Sequence, residues 1–204
     1  MKLGSIPFTV SDSNLGFPLA SATKKETIFR NYKLGDVRDQ LDKPICVEES
    51  LIGLLNAEPI SQNPCKPLEI YKAARKLGNT PDNIEGCQVN HAVDYLISKG
   101  IVKKEFWTQD AQEVAVFLNN VAPVIYSLPW YSKMDKTQSD GRLICKGDPI
   151  GFHAVLGFRY DGLKKRFWMR NSWGNWGING NCYLTMHDLA RLMNKGGLAC
   201  ALVE

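Results

Sequence analysis

At 204 residues, 44% of them hydrophobic and 23% charged, the chain has the composition of a globular protein long enough to bury a substantial core. Its formal charge of +4 sits in short clusters (Lys24-Lys25, Lys103-Lys104, Lys164-Lys165-Arg166), which form no stripe suited to nucleic acid. No apolar run reaches the length that spans a bilayer, so neither a nucleic-acid nor a membrane partner is expected.

Residues 1 to about 35 carry turn formers and no sustained period, and read as an extended arm. A lysine near the start and the "LASAT" stretch are two features of a secretory signal, but Pro7, Ser11, Asp12, Asn14 and Pro18 break the apolar segment such a signal needs. A cytoplasmic protein is therefore expected. "ICVEESLIGLLN" places Val47, Leu51, Ile52, Leu54 and Leu55 at the spacing of a buried helix, with Pro44 before it and Glu48 and Glu49 in its first turn. "LEIYKAARKLG" predicts a second helix burying Leu68, Tyr71 and Ala74, with Gly78 at its end. "VNHAVDYLISKG" and "DAQEVAVFLNNV" predict two more.

After Pro123 the pattern changes to strands: "PVIYSLPWY", "HAVLGFRY", "FWMRN", "CYLTM" and "LACALV", with a short helix "HDLARLM" between the last two. The expectation is an α+β fold in one domain, 1–204. A mainly helical lobe spans about 36–120, a mainly antiparallel β lobe about 121–204, and a cleft lies between them. Residues 130–143 read as a polar loop beside that cleft.

Six cysteines, at 46, 65, 87, 145, 182 and 200, are too sparse for a disulfide scaffold and include no C-x-x-C pair. His91, His153 and His187 have no zinc-finger spacing, so no metal site is expected. Cys46 is different from the other five because it falls at the start of the buried helix. The unpaired N–H groups and dipole there favour a thiolate. Gln40, six residues upstream, can fold its amide over that sulfur as an oxyanion donor. His153 begins one strand and Asn171 ends the next, and a turn at about 161–166 puts both at one end of a hairpin. The Asn amide oxygen can then hold the imidazole, with Trp173 covering the bond. Cys145, Cys182 and Cys200 read as core, Cys65 as a loop thiol or a partner for Cys87, His91 as exposed, and His187 as a helix-start residue.

"DQLDKPICV", "HAVLGFRYDG" and "NSWGNWGINGNCYL" together resemble the active-site blocks of the papain-like cysteine peptidases, in the family's order Gln, Cys, His, Asn. The resemblance implies the papain-like two-lobed fold. It also implies a cysteine endopeptidase acting through a thioester acyl-enzyme, with peptide or protein substrates and no cofactor, and a monomer is expected. Cys46 would be the nucleophile, His153 its ion-pair partner and general acid, Asn171 the residue orienting His153, and Gln40 the oxyanion donor. Trp173 would shield the Asn–His bond, and Gly86 would meet the substrate backbone.

The sequence departs from the family in having Val47 where an aromatic residue follows the nucleophile, and Lys43 where a cysteine usually stands. Glu48, close to the thiol, would raise its pKa. About forty residues precede Cys46, too few for the family's long prodomain, as in compact members from bacteria and their phages. The rival expectations are a degenerate papain fold with a structural or binding role, for instance in a phage particle, or a related acyltransferase or amidase.

Overall fold

The computed structural model describes residues 2–10, 30–62 and 65–203. Three helices come first: α1 (Cys46–Asn56), α2 (Pro67–Leu77) and α3 (Val89–Ser98). Then follow β1 (Lys104–Thr108), α4 (Ala111–Asn120), β2 (Val124–Tyr131), a 3-10 turn (Ser132–Asp135), β3 (Pro149–Asp161), β4 (Arg166–Arg170), β5 (Asn181–Thr185), α5 (Met186–Met193) and β6 (Leu198–Val203). The strands form one antiparallel sheet in the order β1-β6-β2-β3-β4-β5.

The sheet is covered on both faces, which explains the near-continuous apolar runs of β2 and β6. Val124, Tyr126, Leu128 and Trp130 of β2, with Ala199 and Ala201 of β6, join one core with α4 and α5. Ile125, Leu198, Cys200 and Leu202 point the other way, into a second core built from α1, α2 and α3. Pro129 is tolerated in a central strand because β6 pairs only with Ile125, Tyr126 and Ser127, leaving the Pro129 end of β2 outside that ladder.

Three expectations change. Residues 104–108 form an edge strand, although the lysines there read as a solvated cluster; β1 is short and pairs only with β6. Together with α4 it packs onto the sheet, so the helical layer ends near residue 103 rather than 120. In α2, Ile70 and Ala74 are buried while Leu68 is exposed, because the inward face is rotated by about a quarter turn from the one the spacing favoured. Trp130 and Tyr131 belong to β2, so the loop begins later than residue 130.

Helix α1 is the element that carries the site. It lies across β3, and Gly53 lets it approach until a Cβ there would touch Leu156 Cδ2 at 3.4 Å. Val47, Leu51, Ile52, Leu54 and Leu55 are all buried beneath it, as their spacing predicts. Leu51→Ala should cost about 2–5 kcal/mol in chemical denaturation, the usual penalty for a cavity at a fully buried leucine. A loss below about 1 kcal/mol would mean that α1 is not anchored through this face.

Candidate active site

The β3–β4 hairpin aligns Leu156 with Arg170, so His153 and the residue just past β4, Asn171, fall at the same end. Their side chains meet: His153 Nε2 and Asn171 Oδ1 are 2.7 Å apart. Asn171 Oδ1 also accepts the backbone N–H of Ser172 at 2.8 Å, which fixes the amide's rotation and leaves the oxygen facing the imidazole. Nε2 is therefore the protonated nitrogen. The other nitrogen, Nδ1, is buried with no partner.

Cys46 is the first residue of α1, and its Sγ lies 3.5 Å from the backbone N of Ala154, the neighbour of His153. The loop 171–174 is stitched to residues 38–40 by Gln40 N–H to Ser172 O (2.8 Å) and Gly174 N–H to Arg38 O (3.0 Å). The Ser172 hydroxyl donates to Gln40 Oε1 at 2.8 Å. One short loop thus carries the residue that orients His153 and also aims Gln40. Sequence reasoning missed Ser172, although it lies between two residues that were singled out.

Trp173 stacks on His153 with ring centroids 4.6 Å apart and planes 27° from parallel. Trp130 meets the imidazole edge-on at 4.7 Å and is itself edge-on to Trp173. The histidine is enclosed by two indoles, of which the sequence pointed to one. His187 is exposed on α5. His91 is half-buried rather than exposed, its ring against Gly78.

The site is closed. Cys46 and His153 have no exposed surface. Burial pushes the Cys46 thiol up to about 12, against N–H groups of Ala154, Gly4 and Val47 that favour the thiolate. Burial also holds His153 down to about 4, against the Asn171 bond. The expected lowering of the thiol by the helix start is outweighed because the N–H donors are aimed at a sulfur that water does not reach.

What covers the site is the segment 2–10. Gln40, expected over the thiol, gives both N–H groups of its amide to backbone carbonyls, Lys2 O at 2.8 Å and Lys43 O at 2.7 Å. Gly86 abuts this segment, at φ +89° and so close that a Cβ would overlap the Gly4 carbonyl. The neighbouring Cys87 pairs with this segment through its backbone, accepting from Ile6 N–H at 2.9 Å and donating to Gly4 O at 3.0 Å. Arg75 of α2 holds the loop before it through Gly86 O (2.9 Å) and Pro81 O (2.7 Å).

Below Cys46, the Cys87 thiol donates to Glu48 Oε1 at 2.8 Å, so Cys87 is not bonded to Cys65, and all six cysteines are free. Glu48 is fully buried and its Oε2 has no partner. Among the described residues no cluster of His, Cys, Asp and Glu is suited to a metal, and no helix is long and apolar enough to cross a membrane.

In this setting the architecture can be compared with known ones. The fold is the papain-like one. Xylellain, a cysteine protease from Xylella fastidiosa, superposes with a TM-score of 0.77 at 17% identity, covering 98% of this chain and 95% of that one. Digestive procathepsin L 3 from the larval midgut of Tenebrio molitor gives 0.70 at 14% identity, over 98% of this chain and 76% of the other. The bromelain protease of Ananas comosus gives 0.62 at 13% identity, over 83% and 94%. No protein-family model matches the sequence, and no curated protein does.

Burial raises Glu48 from its ordinary 4.5 to about 7. Between those values the folded protein binds more protons than the unfolded chain. The stability contributed by neutral Glu48 is complete below about pH 4.5 and is lost as pH rises through 7. His153, lowered, slopes the opposite way. Glu48→Gln removes only the first slope. Its melting temperature should therefore gain on that of the parent protein between about pH 5 and 7, by an amount corresponding to about 1–3 kcal/mol. A gap independent of pH would show that Glu48 does not titrate there.

Proposed function

We propose that this protein is a cysteine peptidase. The observation that carries the reading is the 2.7 Å His153–Asn171 bond, stacked under Trp173, which leaves Nδ1 as the imidazole nitrogen free to serve Cys46. That nitrogen takes the thiol proton. The thiolate attacks the carbonyl carbon of a peptide bond, and the developing oxyanion is met by the Cys46 backbone N–H and the Gln40 amide. The C–N bond breaks as His153 returns the proton to the leaving amine, and a thioester remains on Cys46. Water, deprotonated by His153, then hydrolyses the thioester and frees the thiol. Asn171 holds the ring in the required tautomer throughout, and Trp173 and Trp130 keep water from competing for the Asn–His bond.

No step needs a metal or an organic cofactor, and the substrates are peptides or proteins. Hydrolysis of a peptide library should be abolished in Cys46→Ala and His153→Ala, with the fold retained. In Asn171→Ala it should fall roughly ten- to a hundred-fold, since that side chain acts through the histidine. An epoxysuccinyl peptide should add once to the parent protein in intact-mass measurement and not at all to Cys46→Ala. Undiminished turnover in Cys46→Ala would overturn the assignment.

A further inference from the structure

We infer that Ser50 is a positioning residue of the active site, which holds the nitrogen end of the Asn171 amide through one water enclosed between them. The inference rests on the peptidase reading for its effect on turnover, and on geometry alone for the bridge.

The Asn171 amide has two ends. Its oxygen is fully engaged, with His153 Nε2 at 2.7 Å and the Ser172 N–H at 2.8 Å. Its nitrogen, Nδ2, is buried and meets no acceptor of the protein. A buried donor left in that state costs about 1–3 kcal/mol. Here the cost would fall on the side chain that sets the His153 tautomer, and would favour any tilt of the amide that finds Nδ2 a partner.

Ser50 lies one turn beyond Cys46 on α1, so the two share a face of the helix. A helical serine commonly returns its hydroxyl to the carbonyl four residues back. Ser50 Oγ does not: it too is buried without a protein partner. Both residues line the same small cavity, between α1, the segment 34–38 and the end of β4. The centre of a water can range over about 10 Å³ of it, close to the least that admits one molecule. Arg38, Glu49 and Arg170 also line it, but they are engaged elsewhere. Arg38 pairs with Glu49, and Arg170 donates to Gly35 O at 2.7 Å and to Asn181 Oδ1 at 3.1 Å.

Two orphaned polar atoms thus border a space of one water. Nδ2 can only donate, whereas a hydroxyl both donates and accepts. A water that accepts from Nδ2 and donates to Oγ satisfies both at once. The amide plane is then set by three points: His153, the Ser172 N–H and the water anchored on Ser50. The helix that carries Cys46 thereby also fixes the residue that aims His153 at it.

The test is Ser50→Ala, alone and combined with Asn171→Ala, assayed on a fluorogenic peptide. In the single variant kcat should fall about three- to ten-fold with KM unchanged, since Ser50 acts through Asn171 and touches no substrate. In the Asn171→Ala background the same change should cost nothing further, whereas a merely structural loss would multiply. An unchanged kcat in folded Ser50→Ala, or multiplying losses in the double variant, would overturn the inference. A second readout needs no activity. In isotopically labelled parent protein the Asn171 side-chain amide protons should resist exchange and show a dipolar contact with a long-lived water by NMR, and Ser50→Ala should lose that contact. Should the parent chain hydrolyse no peptide, the peptidase reading falls while this contact still upholds the bridge. Should Ser50→Ala fail to fold, the contact in the parent protein decides. Its absence there would overturn the inference whatever the assay shows.

Discussion

The hydrogen bond between His153 and Asn171 holds its geometry only where water cannot replace either partner. In bulk solvent a neutral imidazole–amide pair has almost no net preference over hydration, whereas in a dry site it is strong and directional. The fold supplies that dryness from one side with the stacked Trp173 ring and from another with the edge of Trp130, which in turn stands in the core shared by β2, β3, α4 and α5. The placement of Asn171 depends on a loop that folds back on itself, with Asn171 N–H bound to Gly180 O and Gly180 N–H to Trp176 O. Because Ser172 of the same loop fixes Gln40, the orientations of the His153 ring and of the Gln40 amide are mechanically one constraint.

The same dryness works against any charge placed on Cys46 or His153. A thiolate and an imidazolium can share a low-dielectric site only if their attraction exceeds two desolvation costs, and every water removed tilts the balance toward the neutral thiol and imidazole. With the strand 2–10 in place the balance lies on the neutral side for both groups. Glu48 adds to it from beneath: any negative charge there opposes a second one on Cys46. Cys46 and His153 are thus held together in a buried site that favours the neutral form of each.

How much of this could be read from the sequence follows from the range of each interaction. The grouping of Gln40, His153 and Asn171 near Cys46 was legible because helix start, hairpin end and loop are local patterns, and the β3–β4 register that joins His153 to Asn171 is set by one short turn. Trp130 was not, since its contact with His153 depends on β2 pairing with β3 across some twenty intervening residues. The α2 face was misjudged because Leu68 and Tyr71 look as apolar as Ile70, and only the tertiary partner decides which stripe is buried. β1 was missed because a five-residue edge strand with two charged residues carries no alternation strong enough to read. The described stretch 2–10 of the arm was recognisable as extended, but its position was not, and residues 11–29 of the expected arm lie outside the described residues. Its partners, Gln40, Cys87, Ser127 and Phe152, are spread over more than a hundred residues, and a glycine read alone does not name the backbone that approaches it.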